Sequence, residues 1–122
     1  MAKTIMVIDD SASIRQVVNL TLRKAGYEVV EACDGQDALN KLSAQKLNLI
    51  VCDVNMPNMD GITFLKSLKS APSHKFTPVL MLTTESQESK KQEGKMAGAK
   101  AWVVKPFKPE QMLEAVSKLI LP

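Results

Sequence analysis

The sequence predicts an α/β protein, a parallel sheet covered by helices on both faces in three layers. Three observations carry this. Short apolar runs bounded by polar turns alternate with stretches of helical periodicity along the chain, which is the pattern of parallel strands joined by right-handed helical crossovers. A chain of 122 residues has the size of one domain with a single core. Its unbroken apolar runs, IMVI and VLML among them, are about four residues long, far below the ~20 of a membrane-spanning helix.

The first strand is TIMVI, residues 4–8. Residues 12–25 then place Ile14, Val17, Val18, Leu22 and Ala25 at helical spacing, and Gly26 stops the helix. YEVVEA is a second strand whose charges suit a sheet edge. Asp34-Gly35 turns into a helix with Ala38, Leu39 and Leu42 on one face. LIVC (49–52) is the third strand, and residues 61–69 form a helix with Ile62, Leu65 and Leu68 inward. PVLML (78–82) is the fourth strand. The next stretch, ESQESKKQEGKMAGA, is so polar that it supports a helix only weakly. AWVV (101–104) is the fifth strand, and Pro109 opens a last helix with Met112, Val116, Leu119 and Ile120 on its face. No linker, repeat or second domain is expected, so residues 1–122 read as one unit.

Composition narrows the function. A net charge of +3, evenly spread, does not mark a nucleic-acid surface. The N-terminal MAKTIMVIDD ends its apolar stretch in acids and does not resemble a secretory signal. Cys33 and Cys52 have no metal-ligand or disulfide spacing and are expected as reduced packing residues in a cytoplasmic protein. His74, in SAPSHKF, is expected to be an exposed loop residue.

Sheets of this class bind ligands outside the carboxyl ends of their strands. Those ends are Asp9-Asp10 after IMVI, Asp53 after LIVC, Thr83-Thr84 after VLML and Lys105-Pro106 after AWVV. Each acid alone could be a helix cap; together they are a site. Three carboxylates against one lysine leave surplus negative charge, which a hard cation such as Mg²⁺ relieves. Carboxylate beside metal suits phosphoryl transfer, with Asp53 as nucleophile and with Lys105 and Thr83 holding the phosphoryl oxygens. The backbone carbonyl near Asn55 is a further oxygen ligand. No GxGxxG or GxxxxGK[ST] is present to bind a nucleotide.

The acid pair in VIDDS, the block DVNMPNMDG, the LTT and the VVKPF together resemble the receiver domains of two-component response regulators, in the layout of stand-alone, CheY-like chemotaxis regulators. The resemblance runs from Lys3 to about Leu121. It implies a flavodoxin-like (CheY-like) fold, five parallel strands in the order 2-1-3-4-5 with five helices. It implies that Asp53 is the phosphoacceptor, that Asp9, Asp10, Asp53 and Asn55 hold Mg²⁺, and that Lys105-Pro106 is a cis peptide. Thr83 matches the switch hydroxyl, Trp102 stands where chemotaxis members often carry tyrosine, Thr84 stands beside the switch threonine, and Asn55 and Glu85 match positions that modulate dephosphorylation. The implied phosphodonor is a histidine kinase of the CheA type, and the implied partners include a flagellar motor switch protein or a phosphatase. A monomer is expected, with neither nucleic-acid binding nor membrane insertion.

Three functions compete on this reading. The first is a phosphorylation-driven module that signals by docking, through the fourth helix, fifth strand and fifth helix, with Trp102 swinging inward as Thr83 is drawn to the phosphoryl group. The second is a phosphate sink or relay without an output partner. The third is a small aspartate-dependent phosphohydrolase. It would want a second acid where DVN offers an amide, and a cap that 122 residues leave no room for.

Overall fold

The computed structural model describes residues 3–42, 46–54, 56, 58–71, 74–84 and 88–120, the side chains of 84 and 88–91 excepted. In chain order these residues form β1 (Thr4–Ile8), α1 (Ala12–Lys24), β2 (Glu28–Ala32), α2 (Gly35–Leu42), β3 (Leu49–Asp53), α3 (Gly61–Ser70), β4 (Val79–Thr84), α4 (Glu88–Ala97), β5 (Ala101–Lys105) and α5 (Pro109–Leu119). The strands make one sheet in the order β2-β1-β3-β4-β5, every pair parallel. The charged strand β2 is at an edge, as its composition predicts.

Alternation along each central strand divides the core in two. Met6, Ile8, Ile50, Cys52, Val79 and Met81 face α2 and α3, meeting Ala38, Leu42, Ile62, Leu65 and Leu68. The intervening Ile5, Val7, Leu49, Val51, Leu80 and Leu82 face α1 and α5, meeting Val18, Leu22, Met112 and Val116. All of β3 is buried, which is why it reads as a continuous apolar run rather than an alternating one. Gly26 ends α1 at φ +97, a conformation that favours glycine.

Four expectations change. On α1 the buried stripe is Val18 and Leu22 with Ile14 beside it, while Val17 is 48% exposed and Ala25 is also exposed. Cys33 is exposed, and only Cys52 packs in the core, where burial pushes its thiol up. His74 is buried, because its Nε2–H donates to the Leu42 carbonyl at 3.1 Å, and a carbonyl oxygen can only accept. α4 is a regular helix despite its polarity and despite Gly94, which in a helix interior costs roughly 1 kcal/mol against alanine.

Candidate functional site

The winding direction reverses between β1 and β3, and the register brings the polar strand ends together there. Ile8 pairs with Cys52, Asp53 with Leu82 and Thr84 with Lys105. Asp9, Asp53, Thr83 and Lys105 therefore reach the same carboxyl edge. One oxygen from each of Asp9, Asp10 and Asp53 lies within 4.8 Å of the others. Asp9 is fully buried, Asp53 is 6% exposed and Thr83 is 3% exposed, whereas Asp10 is open to solvent.

Lys105 supplies the counter-charge. Its long stem carries Nζ from β5 past β4, to 3.0 Å from Asp9 Oδ2 and 3.0 Å from Asp53 Oδ1. The Lys105–Pro106 peptide is cis, as the resemblance implies. Asp9 is held further by the Ser11 N–H, which donates to Oδ1 at 2.9 Å, and by Arg15 Nη1, which donates to its backbone carbonyl at 2.6 Å. The Ser11 hydroxyl also caps α1, accepting from the Ile14 N–H at 3.3 Å.

The segment after Asp53 is fastened from both sides. The Gly61 N–H donates to the Val54 carbonyl at 2.9 Å, and a Cβ at Gly61 would meet the Asp53 carbonyl oxygen. Glycine lets the first turn of α3 close on the backbone of the acid, and Asp60 caps that turn by accepting from the Thr63 N–H at 2.8 Å. Asn58 adopts φ +67, and its Nδ2 donates to Asp34 Oδ2 at 2.8 Å, tying the loop to the start of α2. The Asp37 N–H and Asn58 hold the Asp34 carboxyl below its usual range.

The charges remain out of balance. Burial raises the Asp53 pKa, and the Asp9 carboxylate adds to that; together they outweigh Lys105, which acts the other way. Burial alone would lower the Lys105 pKa, but its hydrogen bonds and charge interactions with Asp9 and Asp53 override this and raise it. The lysine is thus firmly charged while the acids are in surplus. All-oxygen carboxylate donors with unmet negative charge fit a hard divalent cation, and Mg²⁺ suits them.

Of the other predicted positions, Thr84 is placed through its pairing with Lys105, and Asn55 and Glu85 lie outside the described residues. The Trp102 indole already packs on the core that contains Met81, and its ring lies against Gly94 of α4. The inward swing expected from the sequence would therefore begin from a seat already taken. The sequence reasoning missed Arg15 and Gly61. Only the Asp60-Gly61 pair at the start of a helix hinted at either.

A lysine-clamped acid cluster at the reversal point of a 2-1-3-4-5 sheet is the arrangement that the resemblance to receiver domains implies. The comparisons agree: residues 5–117 match the response regulator receiver domain, and the chain belongs to that family. It is 37% identical over 121 residues to the chemotaxis protein CheY of Bacillus subtilis, covering 98% of this chain and 99% of that one. It is 38% identical over 112 residues to protein PilG of Pseudomonas aeruginosa, covering 92% of this chain and 83% of the relative. Among solved structures, chemotaxis response regulator CheY4 of Vibrio cholerae superposes with a TM-score of 0.93 at 48% identity, over 98% of this chain and 100% of that one. The chain is thus the receiver domain of a two-component response regulator.

Proposed function

We propose that Asp53 accepts a phosphoryl group from the phosphohistidine of a CheA-type histidine kinase, and that the phosphorylated form signals by docking to another protein, in chemotaxis. The observation that carries this is Lys105 Nζ held 3.0 Å from both Asp9 and Asp53, at the edge of a three-carboxylate cluster. Asp9 and Asp10, with Asp53 and the Asn55 backbone carbonyl, would hold Mg²⁺. When bound, the ion neutralises charge on the phosphoryl oxygens and on the acids around them. An Asp53 oxygen attacks phosphorus as the P–N bond to the donor imidazole breaks, giving an acyl phosphate. Lys105 exchanges its Asp53 contact for a phosphoryl oxygen, and the Thr83 hydroxyl donates to another, in charge-assisted hydrogen bonds. The only reactions the chain catalyses on this reading are its own phosphorylation and dephosphorylation.

Docking is favoured over a phosphate sink by a groove of about 580 Å³ beside β5 and α5, lined by Trp102, Val104, Gln111 and Glu114 among others. Val104 is 42% exposed there. The resemblance to chemotaxis receivers implies a flagellar motor switch protein or a phosphatase as the occupant. No helix among the described residues is long and apolar enough to cross a membrane, which is compatible with a cytoplasmic monomer. The test is labelling by acetyl phosphate with and without Mg²⁺. Wild type should be labelled only with Mg²⁺ and lose the label in alkali, and Asp53→Asn should take none. Equal labelling of Asp53→Asn would refute the assignment.

A further inference from the structure

Trp102 is held in an unusual way. Its indole Nε1 is buried and finds no hydrogen-bond partner among the described residues. A buried N–H without an acceptor opposes the position the ring occupies. Something else must favour that position, and the geometry around α4 supplies it. Gly94, a buried residue inside α4, leaves open the space that the indole fills. A Cβ at residue 94 would lie 2.5 Å from Trp102 Cζ2 and 2.6 Å from Cη2, closer than real carbon contacts allow. Cε2, the carbon that carries the indole nitrogen, is 3.8 Å from the same point. The benzo edge of the ring therefore sits where any other residue would place its side chain.

We propose that Gly94 is the positioning residue for Trp102: the missing side chain forms a socket in α4 that admits the indole, and residue 94 sets whether the ring lies inward or turns out into the groove beside β5. Among the described residues, the ring holds its seat by packing against α4 and the Met81 core. With no partner among the described residues, the N–H gains by turning outward to water, which keeps that seat from being deep. Gly94 has no turn to make, since it lies within a helix whose interior glycine lowers stability; the socket gives the residue a reason. This deepens the docking reading above, because the side chain that lines the proposed docking groove is placed from α4. A substitution at residue 94 would change the groove without touching the acid cluster.

The experiment uses the unphosphorylated protein, so its outcome is independent of whether Asp53 is the phosphoacceptor. Trp102 is the only tryptophan, so emission and acrylamide quenching report on it alone. Gly94→Ala should shift the emission to the red and increase quenching as the ring leaves its socket. Stability should respond in opposite senses with and without the ring. In a Trp102→Val background nothing fills the socket, and Gly94→Ala should lower the unfolding constant about fivefold, the ordinary helix-interior preference for alanine. With Trp102 present that gain should vanish or reverse. Unchanged emission and quenching in Gly94→Ala would overturn the proposal, as would the same gain in stability in both backgrounds. Should the Trp102→Val variant fail to fold, emission and quenching in Gly94→Ala alone still decide.

Discussion

Replacing Lys105 with methionine isolates the charge that holds the site together. Methionine keeps most of the apolar stem and removes the ammonium, so packing changes little. What remains is Asp9, fully buried, and Asp53, nearly so, with no cation between them. Removing one partner of a buried ion pair costs about 3–5 kcal/mol. The Lys105 side chain is 20% exposed and is relieved of its own burial penalty, which brings the expected loss to about 2–4 kcal/mol at neutral pH. With a urea m-value of about 1.5 kcal/mol/M, the midpoint should fall by roughly 1.3–2.7 M.

The pH dependence gives the sign. The Lys105 pKa is raised, so its contribution is complete below about 10.4 and is lost only in strong alkali. It is constant across the acid-to-neutral range. The Asp53 pKa is raised despite Lys105, so the fold favours the protonated acid and loses stability as pH rises through that raised value. Without Lys105 the Asp53 pKa rises further. The stability gap between wild type and Lys105→Met should therefore narrow between neutral and mildly acidic pH, as Asp53 takes up a proton. The assay is urea unfolding at neutral and at mildly acidic pH in the absence of divalent ions. A gap independent of pH would show that the loss comes from packing, and a variant more stable than wild type at neutral pH would refute the charge account.

Mg²⁺ and protons should compete at the acid cluster. Affinity followed by Trp102 fluorescence should fall on acidification through the raised Asp53 pKa, and Asp10→Asn should weaken binding severalfold by removing a ligand charge. Gly61→Ala, which drives a Cβ into the Asp53 carbonyl, should cost about 2–3 kcal/mol in urea unfolding and slow phosphorylation by acetyl phosphate. His74→Ala should cost about 2 kcal/mol in the same unfolding assay, leaving the Leu42 carbonyl without its side-chain donor and a space where the ring was.

The strands were legible because each buried run is short, apolar and followed by a chemically distinctive end. VIDD, LIVCD, VLMLTT and AWVVK carry fold and site in the same residues. Sheet order, the switch role of Thr83 and the roles of Thr84 and Trp102 came from the resemblance, since spacing alone does not choose among windings. α4 was faint because its sequence is polar and contains Gly94; its stability comes from packing on α3 and β5, not from propensity. His74 was misjudged for a related reason. A loop-like sequence says nothing of a carbonyl 32 residues away. Arg15 escaped notice because its contact is with the backbone of Asp9, and no side-chain pattern marks a backbone acceptor.

The central claim is that one carboxylate, Asp53, takes the phosphoryl group. Reductive trapping tests it most directly. After phosphorylation in Mg²⁺, borohydride cleaves the acyl phosphate and converts the modified aspartate to homoserine, which peptide mass mapping locates. Homoserine should appear at residue 53 alone and be absent without phosphodonor. Homoserine at Asp9 or Asp10, or phosphate that resists borohydride and maps to Thr83, would contradict the account.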